Sequence, residues 1–295
     1  MMSDIRTSTC GTLTTMFRVL FHLTALALLC VGCGDKNSDN DTGPEGSDSD
    51  SAPPAEDELT AWLAFEVPER PQDLAVHPDG RIFCSAQAGG LVYSWDPTKD
   101  DRDEEYDDLD DVVALAFDGE QLYLTLSDNG VTGGLYRLDG LEPVEIATQD
   151  DSGVLMREPE DLIADGSGGW LMPDDNAGLV FHVASSGAVS SFSAGSAGPL
   201  TLLLDGSTLY IGGDDGIWSM DWPGGSPTSL DSRAGLGFVI VDGALWAANA
   251  SEDLFVVGGG TLGADDAARP ASMVRSDGVI YFADRIGQGV WAVTP

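Results

Sequence analysis

Two short phrases place carboxylates at the same point of a repeated pattern. Residues 71–74 read Pro-Gln-Asp-Leu and residues 159–162 read Pro-Glu-Asp-Leu. Carboxylate oxygens are the ligands that Ca²⁺ and Mg²⁺ prefer in proteins, and crowded carboxylates either face water or gather a cation. The pattern therefore predicts Asp73, Asp161 and Glu160 as ligands of a divalent ion, with Ca²⁺ as the candidate, or else a solvated acidic surface.

Other kinds of catalytic site lack their residues in this sequence. A Ser-His-Asp relay needs a histidine base held beside its serine. Of the three histidines, His22 lies in the amino-terminal apolar segment, His77 stands next to a predicted turn and His182 falls in a predicted strand. No GxxxxGK[ST] phosphate loop occurs. The sequence therefore identifies no catalytic residue.

A repeat must position the acidic phrases. The sequence contains six copies of one pattern, which consists of an apolar run, a Gly-containing turn and an apolar run with an aromatic residue. The turn glycines are Gly80, Gly119, Gly168, Gly206, Gly243 and Gly278. Their spacings of 39, 49, 38, 37 and 35 residues match one four-stranded propeller blade. The sequence predicts an all-β fold, a six-bladed β-propeller with four-stranded blades.

The first copy defines the strands. Residues 73–76 are predicted as the innermost strand, 81–85 as the second and 91–95 as the third. The last copy stops after its third strand, whereas an extra strand-like run, residues 59–67, precedes the first copy. We expect this run to complete the last blade and close the ring, which removes an open sheet edge. The propeller would then span residues 59–295.

The acidic run at residues 100–111, DDRDEEYDDLDD, stands where the first blade needs its fourth strand. Because like charges at this density disfavour strand pairing, we expect a projecting solvated edge or loop. A docking site for a basic partner is the second interpretation.

One face of the predicted ring should collect acidic side chains. The starts of the innermost strands and the loops between second and third strands share that face around the central channel. The aligned inner-strand positions are Asp73, Val113, Asp161, Thr201, Gly237 and Ser272. The loops that reach the same face carry Asp128, Asp174, Asp175, Asp214, Asp215, Glu252, Asp253 and Asp284. We expect any ligand, whether a protein or a small molecule, to bind there.

The repeat resembles the six-bladed group that includes the NHL, strictosidine synthase-like and gluconolactonase-like propellers. The resemblance rests on residues 71–76 with Asp79-Gly80, on residues 159–162 and on residues 280–284. It implies a channel metal held by acidic and Asn side chains, which polarises a lactone or ester carbonyl. Asp73 and Asp161, with Glu160 nearby, stand at matching positions.

The amino terminus is predicted to be a targeting segment. An apolar stretch follows Arg18, and Val31-Gly32-Cys33 resembles the bacterial lipoprotein signal. The resemblance implies a signal peptide at residues 1–32, a lipid on Cys33 and a membrane anchor in the cell envelope. In that family a residue other than Asp directly after the lipidated cysteine favours passage to the outer membrane, and here that residue is Gly34. An ordinary cleaved signal is the alternative, and translation can start at Met1 or Met16.

Residues 33–58 are predicted to be a disordered acidic tether, because they lack apolar periodicity and consist mostly of Asp, Ser, Gly, Pro and Glu. The whole chain of 295 residues has a net charge of -37. Such a charge makes nucleic acid an improbable partner, since phosphate binding requires clustered Lys and Arg. Cys84, in the second strand of the first copy, is predicted to be a buried free thiol.

Two classes of function remain open. The first is a membrane-anchored lipoprotein whose propeller is a binding or scaffolding module without a reaction. The alternative is a Ca²⁺-dependent hydrolase or lactonase of the gluconolactonase-like type. They differ in whether several oxygen ligands converge on one ion at the channel.

Overall fold

A computed structural model of the chain describes residues 59–109, 111–128, 131–249, 254–262 and 270–295. These residues form β-strands, turns and one short 3-10 helix, Gln87–Gly89. Within them, no helix has the length and apolar character required to cross a bilayer.

The strands fall into six antiparallel sheets. Strand β1 is Trp62–Glu66. The first blade contains β2 Pro71–Val76, β3 Ile82–Ala86, β4 Leu91–Asp96 and β5 Asp101–Tyr106, and the second contains β6 Val112–Asp118, β7 Gln121–Asp128, β8 Thr132–Asp139 and β9 Glu142–Ala147. The third contains β10 Ile163–Ala164, β11 Trp170–Asp174, β12 Leu179–Val183 and β13 Val189–Phe192, and the fourth contains β14 Pro199–Asp205, β15 Thr208–Gly213, β16 Gly216–Asp221 and β17 Thr228–Asp231. The fifth shows β18 Gly237–Val241, β19 Ala244–Ala248 and β20 Leu254–Val256 among the described residues, and the sixth contains β21 Pro270–Ser276, β22 Val279–Asp284 and β23 Gly289–Val293.

The sheets form a closed ring. The inner strand β2 contacts both β6 and β21, while β14 contacts β10 and β18. Strand β1 pairs antiparallel with β23, with Trp62 opposite Ala292 and Phe65 opposite Val290, so the amino-terminal strand supplies the outermost strand of the sixth blade. The predicted six-bladed propeller, closed by its amino-terminal strand, is confirmed.

Aromatic side chains fill the space between neighbouring blades. At the seam between the sixth and first blades, Phe65 stacks on Trp95 with 5.4 Å between ring centroids, and Trp95 meets Tyr281 at 5.8 Å. Tyr123 and Trp170 make the equivalent contact between the second and third blades at 4.5 Å. These rings stabilise blade packing through buried area and favourable ring geometry. Cys84 is buried at the seam between the sixth and first blades and has a free thiol.

The turn glycines have the backbone that the repeat requires. All six adopt positive φ angles, between 58° and 93°, a region that glycine occupies without steric cost. In the fifth and sixth blades the preceding residues, Asp242 and Asp277, also have positive φ, as a two-residue hairpin turn with matching twist demands.

The acidic run is a solvated sheet edge, one of the two expected arrangements, and not a loop, because residues 101–106 form the exposed paired strand β5. Glu104 lies opposite Tyr93 and Asp103 opposite Ser94, so these two carboxylates avoid like charges across the ladder, whereas Asp101 lies opposite Asp96. Glu105 accepts a hydrogen bond of 2.6 Å from Arg81 Nη1. Strand β5 is thus the exposed edge strand of the first blade. It pairs with β4 on one side, and its charged side chains disfavour pairing with another strand on the other side.

Candidate functional site

The starts of the inner strands and the loops between second and third strands meet at one face, which we call the channel mouth. Asp174, the last residue of β11, accepts hydrogen bonds from the backbone N–H groups of Arg157 at 2.6 Å and Glu158 at 3.1 Å, just before β10. Its other oxygen accepts one from the N–H of Ala177 at 2.8 Å. Asp174 is fully buried, so it fixes the loops that carry the acidic side chains.

Three carboxylates converge at the mouth. Oxygen atoms of Glu158, Glu160 and Asp175 all lie within 4.8 Å of one another, and we call these residues the mouth cluster. Burial, with repulsion from Asp175 and Glu158, raises the pKa of Glu160 to about 7, although Arg285 opposes the shift. Burial and neighbouring carboxylates also raise the pKa of Glu158 and Asp175. The cluster therefore holds negative charge at a free-energy cost that a cation would offset.

Amide and guanidinium groups hold the mouth cluster in place. Gln72 Nε2 donates a hydrogen bond of 2.9 Å to Glu160 Oε2, and Arg285 Nη2 lies 3.8 Å from the same oxygen. Asn176 Nδ2 donates a hydrogen bond to Glu158 Oε2. The cluster thus draws on the first, third and sixth blades, which the ring brings together across the channel.

Two buried oxygen atoms beside these groups, Gln72 Oε1 and Asp175 Oδ1, have no hydrogen-bond partner among the residues that the structure describes. Buried polar atoms are nearly always satisfied in folded proteins, by protein or by an unseen ligand or water. Gln72 is 3% exposed, so bulk water does not reach it. A donor set of carboxylate and amide oxygens fits a hard divalent cation such as Ca²⁺.

Asp73 and Asp161 occupy a different environment, deeper in the channel, and we call them the channel pair. Asp73 accepts a hydrogen bond of 2.8 Å from the N–H of Leu115 in the second blade and one from the hydroxyl of Ser272 in the sixth. Asp161 accepts from the N–H of Leu202 at 2.8 Å, in the fourth blade. Each side chain therefore links the inner strand of its own blade to that of a neighbour.

The channel pair is also electrostatically coupled. Burial and then repulsion from Asp161 raise the pKa of Asp73 to about 8. Burial also raises the pKa of Asp161. The two carboxyl groups line a cavity of about 450 Å³ along the channel. Ligation of one ion by Asp73, Asp161 and Glu160 together stays a prediction. Glu160 lies in the mouth cluster, whereas the other two residues have several hydrogen bonds each.

The remaining predicted acids of this face divide by role. Asp284 is fully buried and accepts hydrogen bonds from the N–H groups of Ile286 and Gly287, so it shapes the loop that carries Arg285. Asp215 accepts from Ser196 and from the N–H of Ala197. The side chain of Asp128 and all of Glu252 and Asp253 lie outside the described residues.

Sequence reasoning did not select Gln72, Asn176 or Arg285. Gln72 stands inside the repeated phrase, and Arg285 directly follows the predicted strand that ends at Asp284. Their positions in the pattern were visible, but their convergence on Glu158 and Glu160 depends on the ring. The two described histidines lie elsewhere: His77 Nδ1 is 2.7 Å from Asp79 Oδ1 and His182 Nε2 is 2.8 Å from Asp165 Oδ2.

Comparisons with known proteins address the fold. A gluconolactonase from Xanthomonas campestris has a TM-score of 0.67 and 14% identity, with 79% of this chain and 89% of that chain covered. A luciferin-regenerating enzyme has a TM-score of 0.65 and 12% identity, covering 80% of this chain and 95% of the other. Virginiamycin B lyase from Staphylococcus aureus reaches a TM-score of 0.55 at 12% identity, covering 77% and 82%.

These likenesses show the fold alone. At such identities they transfer no reaction, because one fold hosts many activities. Searches with protein-family models and with curated protein sequences gave no match.

Proposed function

We propose that this chain is a divalent-cation-dependent hydrolase of lactones or esters, with its site at the channel mouth. The mouth cluster carries the proposal, because its three carboxylates lie within 4.8 Å of one another and buried oxygens beside it lack partners. The fold shared with a gluconolactonase supports the reaction class as an analogy.

Glu158, Glu160 and Asp175 would hold the ion, and Gln72 would complete the oxygen ligands. A bound divalent cation supplies Lewis-acid polarisation of a carbonyl oxygen. Gln72 orients Glu160 through their hydrogen bond, and Asn176 does the same for Glu158. Below pH about 7 the Glu160 carboxyl holds a proton, so proton loss accompanies cation binding.

A substrate has room beside the cluster. A cavity of about 440 Å³ is lined by Val154, Leu155, Arg157, Asn176 and Ala177. Because Asn176 both lines this cavity and bonds to Glu158, a carbonyl bound there would lie next to the mouth cluster. The guanidinium of Arg285, near Glu160, can offset the negative charge that develops on the oxygen under attack.

The test of the site is calcium titration of the melting temperature, against sodium chloride at matched ionic strength. A specific ion raises stability with the logarithm of its concentration above the dissociation constant, whereas screening does not depend on the cation's identity. We expect a calcium-specific rise that Glu158→Gln with Glu160→Gln abolishes. The double variant Asp73→Asn with Asp161→Asn decides whether the channel pair also ligates the ion. Identical effects of the two salts on the parent protein would exclude a site here.

The test of the reaction is hydrolysis of δ-gluconolactone and of p-nitrophenyl acetate by calcium-loaded protein. The hydrolase proposal expects turnover that ends on chelation and is lost in Glu160→Gln. Glu145→Gln, an exposed acid on the outer strand β9, is the matched control and should leave the rate unchanged.

A calcium-binding module without a reaction is the second candidate. It is favoured by the positions of the described histidines, because His77 and His182 lie away from the mouth and no general base other than the cluster itself is apparent among the described residues. A calcium-specific stabilisation without turnover of either substrate would support this module and overturn the hydrolase.

We propose, in addition, that the chain is a lipoprotein of the bacterial cell envelope, anchored in the outer membrane through Cys33. The Val31-Gly32-Cys33 junction and the polar segment behind it support this address. Mass spectrometry of the mature amino terminus should find a diacylated cysteine at position 33. An unmodified terminus, or a Cys33→Ala protein that still partitions with membranes, contradicts it.

A further inference from the structure

A further pocket lies between the third and fourth blades, at the face that carries the Asp-Gly turns and opposite the channel mouth. It has a volume of about 280 Å³. Its lining residues include His182, Ser193, Phe192, Met220 and Trp222. This volume is below that of typical drug-sized sites, so it suits a ligand with a single ring.

Aromatic rings form the walls of this pocket. Trp222 packs edge-on against His182 with 5.0 Å between centroids, and lies 5.6 Å from Phe192 at an interplanar angle of 35°. Trp222 and Phe192 are both partly exposed, so a portion of each ring faces the opening. Rings of this kind favour an aromatic ligand in an offset-stacked or edge-to-face arrangement.

One polar group in the wall has a defined hydrogen-bonding direction. His182 Nε2 lies 2.8 Å from Asp165 Oδ2. Asp165 also accepts hydrogen bonds from the N–H groups of Ser167 and Gly169, at 2.6 and 2.8 Å. Burial opposes ionisation, but the bonds from His182, Ser167 and Gly169 lower the pKa of Asp165 to about 2.

Because an ionised carboxylate only accepts hydrogen bonds, Nε2 of His182 carries the proton. In the neutral tautomer that this bond selects, Nδ1 is the acceptor. Among the described residues Asp165 is the one hydrogen-bond partner found for this ring. The side chain is 21% exposed and lines the pocket, so a ligand with a donor can reach it.

We propose that this pocket binds a small phenol, with the ring against Trp222 and Phe192 and the hydroxyl group donating to His182 Nδ1. The site is separate from the mouth cluster and does not depend on the proposed hydrolase. Both ligand features follow from the wall: aromatic faces select a planar ring, and a fixed acceptor selects a hydroxyl donor over an ether.

Fluorine NMR of the full propeller tests the proposal with a matched pair of probes. 4-Fluorophenol and 4-fluoroanisole have similar rings, but only the phenol has a donor. We expect the phenol to bind about tenfold more tightly, the effect of one hydrogen bond to an otherwise unpaired acceptor. Equal affinity for the two probes, or no binding of either at millimolar concentration, overturns the proposal.

Three variants locate the binding. His182→Phe keeps an aromatic ring but removes the acceptor, and should abolish the preference for the phenol. Ser193→Phe fills the pocket from an exposed position and should abolish binding of both probes. Ser186→Phe adds the same ring to the exposed turn between β12 and β13, outside the pocket, and should bind like the parent.

Ser193→Phe keeps the test decisive if His182→Phe fails to fold, because Ser193 is exposed and its replacement need not disturb the core. Phenol binding that survives Ser193→Phe would place the probe elsewhere and overturn the assignment.

Discussion

The mouth cluster and the channel pair are both wholly or partly buried groups of carboxylates with raised pKa values, yet their surroundings differ. Asp73 and Asp161 receive backbone N–H and hydroxyl hydrogen bonds from neighbouring blades. The mouth cluster has side-chain donors on Glu158 and Glu160, while Asp175 Oδ1 stays without a partner. Burial alone therefore does not tell a ligand site from a structural one.

The difference teaches that satisfied carboxylates hold the ring and unsatisfied ones are available to a ligand. A buried carboxylate that accepts N–H groups from adjacent blades makes those blades interdependent. A buried carboxylate without such donors raises the free energy of the folded state until a cation or proton arrives. Substitutions in the two regions should then have opposite effects on stability.

Opening the ring should have the largest effect. Deletion through Val67 removes β1, including the buried side chains of Phe65 and Val67, and leaves the edge of β23 unpaired. We expect a loss of roughly 5 kcal/mol or more in the free energy of unfolding, from two buried side chains and a strand ladder. Urea denaturation measures it.

The control for this deletion is a shorter one, residues 34–56, which should leave stability nearly unchanged. The longer deletion, through Val67, also tests the channel pair, because Ser272 of the sixth blade donates a hydrogen bond to Asp73 of the first blade across the seam that β1 closes. Equal stability of both truncations would contradict a ring closed by β1.

Removing Asp73 should have the next largest effect. Asp73→Ala leaves the N–H of Leu115 and the hydroxyl of Ser272 without their acceptor in a buried site, which costs about 2–4 kcal/mol. The pKa of about 8 means that Asp73 is mostly protonated at pH 7, so the loss of its charge brings little relief. Urea unfolding at pH 7 with a chelator checks the loss. A stability equal to the parent's would show that the channel pair does not tie the blades.

Glu160→Gln should act in the opposite direction. Without a cation, the variant removes a carboxylate whose ionisation is unfavourable and keeps an amide that can bond to Gln72 and fill the same space. We expect stability at pH 8 in chelator to rise by roughly 1–3 kcal/mol, from the raised pKa of Glu160. In the presence of calcium the parent should be more stable than the variant, because only the parent gains the free energy of the bound ion. A destabilised variant in chelator would contradict the view that the cluster is unsatisfied.

The last prediction concerns the pH dependence of stability in chelator. Glu160 and Asp73 have folded-state pKa values raised to about 7 and about 8, so their contribution is fully present below pH about 4 and is lost as pH rises through those values. The pKa values of Asp79 and Asp165 are lowered to about 2 in the folded state. These two residues therefore stabilise the fold above pH about 4, and their contribution to stability is lost as pH falls through about 2. Maximum stability should therefore lie near pH 4–5.

Urea unfolding from pH 3 to pH 9 at constant ionic strength measures this profile. The decline above pH 5 should be shallower in Glu160→Gln, and calcium should flatten it in the parent. A stability that rises steadily from pH 5 to pH 8 in chelator would contradict the raised pKa values.

Much of the fold could be predicted because each repeat is specified by residues that are close together in the sequence. The turn glycines, the aromatic residue of each second strand and the extra run before the first copy indicated the blade number and the closing strand. The like charges along residues 100–111 predicted a solvated edge or loop, but not that the edge would be a paired strand. The structure places Tyr93, Ser94 and Trp95 across the ladder from β5, and Arg81 beside Glu105. Which residues face a charged strand is a property of pairing.

The sequence by itself determined the six blades, their closure and the face on which acidic residues collect, since these follow from strand period, turn chemistry and repeat length. Only the tertiary structure decided how those acids divide. Asp73 and Glu160 stand in equivalent phrases, but the ring surrounds the first with donors from adjacent blades and brings the second to Glu158 and Asp175. Hydrogen-bond donors and like charges act over a few ångströms, and that neighbourhood is built from residues distant in the chain.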